Sequence, residues 1–289
     1  MVAPEMSELP DTFDLEQCAR YLRGIASPDS PVLPIAEAAL ALASFERPRV
    51  ALARYRQHLD ALARDVGRHV DSGGDVAARA RARALNEIIL LKHGYSGDEL
   101  TYDDVQNANL IRVVDRRKGL PVALGILYLH AARAQGWDSA GLAFPGHFLI
   151  RLSNGPERLI IDPFHGGRIC DAASLRELLK AMVGQDVELT PTHYAAVSDR
   201  DVLLRLQNNI KSRHLQGGRA EPALRIVQTM LLLAPDLAGL WHEAGLLNAR
   251  LGNIRASVEA LQEFIVRAPE SSARHQAAAL LQQLRSKLN

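Results

Sequence analysis

Residues 145–167 read PGHFLIRLSNGPERLIIDPFHGG, and this stretch decides the fold. Two runs rich in Leu, Ile and Phe, 147–153 and 157–162, flank Asn154-Gly155-Pro156. Turn residues between short apolar runs predict a β-hairpin, with a further strand expected over 139–143, ahead of Pro145-Gly146. A hairpin centred on Asn154-Gly155 sets His147 directly opposite Asp162, with β-carbons about 5 Å apart. At that separation a carboxylate hydrogen-bonds the imidazole, fixes its tautomer and stabilises the imidazolium. The pair supplies two parts of a nucleophilic triad, which directs the search to a nearby Cys or Ser.

Upstream, DRRKGLP (115–121) leads into an apolar helix that runs to Gln135. The first hundred residues are rich in Ala and Leu and predict helices over about 13–24, 33–44, 48–69 and 75–92, with Pro31, Pro34, Pro48 and Gly73-Gly74 near their ends. Arg49, Arg54, Arg56, Arg64 and Arg68 belong on solvated helix faces. Downstream of the hairpin a helix is expected over 172–183, with Asp171 as its N-cap. Helices followed by strands indicate an α+β fold rather than alternating βαβ units.

Beyond about residue 198 the chain is helical and repeats itself. Ala234-Pro235-Asp236 and Ala268-Pro269-Glu270 lie 34 residues apart, as do Gly218 and Gly252, and Leu224 and Val258. That period, with proline closing each unit, is the tetratricopeptide signature. Trp241, Gly245 and Phe264 take its bulky, small and bulky positions; the first copy is poorer, with Gln207 and Lys211 matching Trp241 and Gly245. The reading divides the chain into a flexible N-terminus (1–12), an α+β domain with N-terminal helices (13–197) and an all-α domain of two repeats plus a cap helix (198–289). Two repeats fall below the three usually needed for independent stability, so this module is expected to dock on the rest of the chain.

Lys and Arg number 34 against 33 Asp and Glu, a formal charge of +1, which argues against an electrostatic nucleic-acid binder. Two cysteines, Cys18 and Cys170, form neither a disulfide framework nor a Cys-rich zinc site. Residues 1–12 carry acids and prolines rather than a signal peptide, and the apolar run Leu120 to Leu129 is about half a bilayer span. The expectation is a cytoplasmic protein with no membrane partner.

The order of helix, His strand and Asp-Pro strand resembles the transglutaminase-like fold, a relative of the papain-type cysteine proteases. More specifically, RRKGLP, PGHFLIR and DPFHGG followed by tetratricopeptide repeats are similar to bacterial SirB-type proteins, over roughly residues 35–289. The resemblance implies a transglutaminase-like core with a small antiparallel sheet, a regulatory role, and a nucleophilic Cys at the head of the central helix, where the helix N-terminus lowers a thiol pKa. Counted back from Gly136, that position is Pro121. Proline suits the first turn of a helix but offers no nucleophile. No Ser, Thr or Cys occurs between Tyr102 and Asp138. His147 and Asp162 then remain as a triad remnant, and the favoured reading is a non-catalytic protein-interaction or regulatory module. The alternative is an amide-bond hydrolase or acyl-transfer enzyme with an unidentified nucleophile.

Cys170, eight residues beyond Asp162, could fold back toward the pair, but a small buried thiol is more often inert core, as is expected of Cys18. His147, Asp162 and His165 could offer three metal ligands; the absence of HExxH or CxxC spacing speaks against it, and no metal or cofactor is expected. His130 reads as a packing residue. Arg116-Arg117-Lys118 reads as solvated, or paired with acids such as Asp103, Asp104 and Asp115. Partners are expected to be a protein or peptide bound by the repeats. From 204 to 289 there are 11 Lys and Arg against 6 Asp and Glu, a net +5, which favours an acidic segment.

Overall fold

A computed structural model describes residues 14–26, 33–70 and 77–287. The N-terminus over 1–12, Pro31 and Gly73-Gly74 lie outside the described residues. The described part of the chain separates into two compact units, one holding 14–18 and 33–206, the other 19–26 and 207–287.

The first unit is α+β. Its helices are α1 (Leu15–Ile25, which ends in the second unit), α2 (Ile35–Ser44), α3 (Ala53–Val70), α4 (Ala78–Asn86), α5 (Leu110–Arg116), α6 (Pro121–Arg133) and α7 (Ala172–Val183). A π-helical turn, Glu87–Lys92, continues α4. Two-residue strands β1 (Ser96–Gly97) and β2 (Lys118–Gly119) pair in parallel. A four-stranded antiparallel meander follows: β3 (Asp138–Gly141), β4 (Ile150–Asn154), β5 (Glu157–Asp162) and β6 (Arg168–Cys170).

Helix α6 is the centre of this unit. Its first nine residues are all buried, and Pro121 takes the first helical position, where a missing N–H costs nothing. It packs against α2, α3 and β3. Gly125 lets it approach the segment before β4 closely, because a β-carbon there would overlap the Phe148 ring. Beside the sheet, Leu142, Phe144, Leu149, Cys170, Leu175, Leu178 and Leu179 form one apolar cluster, so Cys170 is a core thiol; Cys18 is likewise buried.

The hairpin register differs from the sequence expectation. The structure pairs Asn154 with Glu157 and Ile150 with Ile161, so the turn sits on Gly155-Pro156. A turn on Asn154-Gly155 would require the N–H of Pro156 to close it, and proline has none. Gly155 takes φ +56°, a left-handed value open to glycine, and the ring of Pro156 fixes the next φ near about −65°. Extended, this register sets Leu149 rather than His147 opposite Asp162. The chain has left the ladder by then: strand β4 starts at Ile150, and His147 lies in a bend after the Pro145-Gly146 turn.

The second unit is all-α. Helix α8 (Asp199–Gln216) begins in the first unit and continues into it, followed by α9 (Ala220–Leu233), α10 (Ala238–Arg250), α11 (Ile254–Arg267) and α12 (Ser272–Arg285). Gly218 and Gly252, one period apart, take φ +70° and +78° in the two intra-repeat turns. Gly245 faces Leu261, where a β-carbon would clash, and Ser257 donates to its carbonyl. Trp241 donates from Nε1 to the Pro235 carbonyl at 2.8 Å, anchoring the second repeat to the proline that closes the first. No helix among the described residues is long and apolar enough to cross a membrane.

Candidate functional site

Strand β5 ends at Asp162, which is fully buried. Its Oδ1 accepts the backbone N–H groups of Phe164 at 3.1 Å and His165 at 3.3 Å, so the carboxylate organises the turn that follows it. That turn returns His165 to the same side chain, Nδ1 lying 2.7 Å from Oδ2. From the other side His147, itself buried, reaches Oδ1 with Nε2 at 2.9 Å. The two imidazoles stack with centroids 5.3 Å apart. Arg168, paired with Asp162 across β5 and β6, places Nε 3.7 Å from Oδ2.

Burial alone would raise the Asp162 pKa. Hydrogen bonds and positive charge from His147 and His165 outweigh it and hold the carboxyl at about 2. An ionised carboxylate only accepts, so Nε2 of His147 carries a proton, and Nδ1 is the ring nitrogen not bonded to Asp162.

A buried frame holds the turn. Gly166 and Gly167 both take left-handed φ values, +68° and +63°. The Gly167 carbonyl accepts from Asn86 Nδ2 at 2.8 Å, and Asn86 Oδ1 accepts from Tyr128 Oη of α6 at 2.9 Å. A β-carbon at Gly167 would overlap both Asn86 Oδ1 and Tyr128 Oη. Burial, with the nearby Asp162 charge, pushes the Tyr128 pKa up, so the hydroxyl stays a donor. Phe164 packs edge-on against His165 and against the part-exposed Tyr102 at the rim.

The structure therefore brings together His147, Asp162 and His165. Pro121 stands at the head of α6, buried. Cys170 points into the core, its Sγ 3.9 Å from the Arg168 carbonyl, and burial with the Asp162 charge raises its pKa. Such a thiol is a poor nucleophile. His147, Asp162 and His165 offer ligand atoms within 4.8 Å of one another, and two histidines with one carboxylate could hold a transition-metal ion. The nitrogen–oxygen separations of 2.9 and 2.7 Å are hydrogen-bond lengths, and both carboxylate oxygens already accept. The arrangement is that of a proton-sharing network.

Arg116 and Arg117 are structural, but their partners are not the acids that the sequence suggested. Arg116 reaches Asp98 at 2.9 Å and Asn107 at 2.8 Å. Arg117 caps α5 with φ +60° and lies over the Tyr95 ring beside His58. Burial, then the charges of Arg117 and His93, lower the His58 pKa to about 4. His130 is a packing residue whose Nε2 lies 3.2 Å from the Leu59 carbonyl. Sequence reasoning missed Asn86 and Tyr128, which carry no local signal: each is an ordinary helical residue until the helices meet.

A central apolar helix against a small antiparallel sheet, a buried His–Asp pair, and trailing helix–turn–helix repeats define a transglutaminase-like domain followed by a tetratricopeptide region. A profile of the transglutaminase-like superfamily matches residues 53–208, and a tetratricopeptide-repeat profile matches 210–284. The chain is 30% identical over 239 residues to a UPF0162 protein of Xylella fastidiosa, spanning 79% of this chain and 82% of the relative. It is 31% identical over 196 residues to a UPF0162 protein of Vibrio cholerae, spanning 68% and 72%. The chain thus belongs to the UPF0162 proteins of the transglutaminase-like superfamily. It also resembles F-box only protein 21 of Homo sapiens, 29% identical over 133 residues, 45% of this chain and 21% of that protein.

Proposed function

We propose that the chain is a non-catalytic transglutaminase-like protein of SirB type, a cytoplasmic interaction or regulatory module in which 13–197 form the binding domain and 198–289 the repeats. The observation that carries this reading is a buried Asp162 hydrogen-bonded by both His147 and His165, in a fold whose nucleophile position, by family resemblance, is Pro121. His147 and Asp162 are then a triad remnant. With Nε2 committed to Asp162, Nδ1 of His147 offers a lone pair in the neutral tautomer, and the site then accepts a hydrogen bond from a hydroxyl or amide N–H of a bound peptide. The buried N-terminus of α6 supplies positive potential for a carbonyl or carboxylate of the same ligand.

Tetratricopeptide repeats generally bind protein segments in the groove of their stacked helices. The net positive charge of 204–289 selects an acidic segment. Affinity capture from the source cell by the full chain tests this reading, with charge-reversed groove variants and with His147→Ala. Loss of the same partner in the groove variants, without unfolding, is the expected result. Turnover of an acyl or amide substrate that disappears in His147→Ala would show an enzyme instead.

A further inference from the structure

The ring of His147 is held by Asp162; its backbone is held by a residue 58 positions away. Residues 143–148 form a loop with no strand pairing of its own, closed at its neck by the Leu142 N–H donating to the Leu149 carbonyl at 3.0 Å. Carbonyls in such a loop need donors from elsewhere. Arg205, in the first unit's part of α8, supplies them. Its Nη1 and Nη2 each donate to the Phe144 carbonyl at 3.1 Å, and Nη2 also donates to the His147 carbonyl at 2.5 Å. The guanidinium carbon lies 5.6 Å from the centroid of the Phe148 ring. One planar fork thus joins the residues on both sides of the Pro145-Gly146 turn.

We infer that Arg205 is the positioning residue of the site: it fixes the 144–148 turn so that His147 meets Asp162 from outside the strand ladder. The inference rests on the reading of His147 as the binding centre. The need for such a clamp follows from the register. The ladder ends at Ile150, so nothing in the sheet specifies where His147 stands. Gly146, at φ +69°, sits in the middle of the turn, where the backbone has most freedom to rearrange. A guanidinium can bridge two carbonyls at fixed geometry; an ammonium is a point donor and bridges them less well.

The test follows ring N–H protons by nitrogen-edited NMR in the full chain. The Nε2–H of His147 is expected as a hydrogen-bonded signal protected from exchange with water. Arg205→Met is expected to speed its exchange at least about tenfold, the least factor that one hydrogen bond from a charged donor commands. The indole Nε1–H of Trp241, which donates to the Pro235 carbonyl at 2.8 Å in the second unit, serves as reference and should not change. Arg205→Lys should fall between the two. Unaltered exchange at His147 in folded Arg205→Met overturns the inference, as does equal acceleration at Trp241, which would mark a general loss of stability. If Arg205→Met does not fold, Arg205→Lys decides by the same criteria, and exchange as slow as in the unaltered chain overturns it. No ligand enters this measurement, so its failure is distinct from failure of partner capture, which would count against the binding reading.

Discussion

Asp162 concentrates the chemistry of this molecule in one side chain. Its folded pKa of about 2 lies below the usual carboxylate value of 3.8, so the unfolded chain binds more protons between those values. The resulting stability is fully present above about pH 4 and is lost as pH falls toward 2; the shift corresponds to about 2 kcal/mol. Chemical denaturation at stepped pH should show this acid limb, and Asp162→Asn should flatten it while lowering stability at pH 7 by about 3 kcal/mol, the scale for breaking a buried pair. On the proposed reading, Pro121 allows the opposite experiment, adding a thiol where the family resemblance puts a nucleophile. Pro121→Cys places a thiol at a helix N-terminus, where thiol pKa values fall to roughly 3.5–7.5 beside an imidazolium. Alkylation by iodoacetamide at pH 6 is expected to be faster than that of the buried Cys18 and Cys170, and it should slow in the His147→Ala background. Equal rates in the two backgrounds would separate Pro121 from the His–Asp pair.

At the scale of elements, two close approaches hold the site in place. Gly125 brings α6 against Phe148, and Gly167 seats the turn after β5 under Asn86 and Tyr128. Gly125→Ala should cost about 1–3 kcal/mol, the usual penalty for overpacking, and should disturb the His147 ring more than the repeats. Gly167→Ala combines a left-handed φ with direct overlap and should cost more than Gly125→Ala. Thermal melts of the two variants, ranked against each other, check the order.

At the scale of the molecule, five successive helices, α8 to α12, span 199–285 among the described residues, and the reading takes them as two repeats and a cap. Helical-repeat stability accrues from neighbouring interfaces, and two repeats supply few of them. A fragment of residues 198–289 is therefore expected to melt well below the full chain, with weak cooperativity. Full-chain stability in the isolated fragment, measured by circular dichroism, would refute the argument that this region depends on the rest of the chain.

The sequence by itself determined whatever rests on local periodicity and turn chemistry: the apolar helix opening at Pro121, the helix over 172–183 with Asp171 as its cap, and the 34-residue repeat with its paired glycines. It also named His147 and Asp162 as partners, though for a reason that the structure replaced. The expected turn placed them as rungs of one ladder; proline's missing N–H moved the turn, and the partnership came instead from a loop folding back on the carboxylate. Tertiary structure alone decided the rest. Asn86, Tyr128 and Arg205 meet the site from separate helices, whereas His165, already a candidate in the sequence, reaches Asp162 through the local turn that the carboxylate organises. Side-chain donors that satisfy distant carbonyls leave no periodic trace, since their partners are set by how elements pack rather than by spacing along the chain.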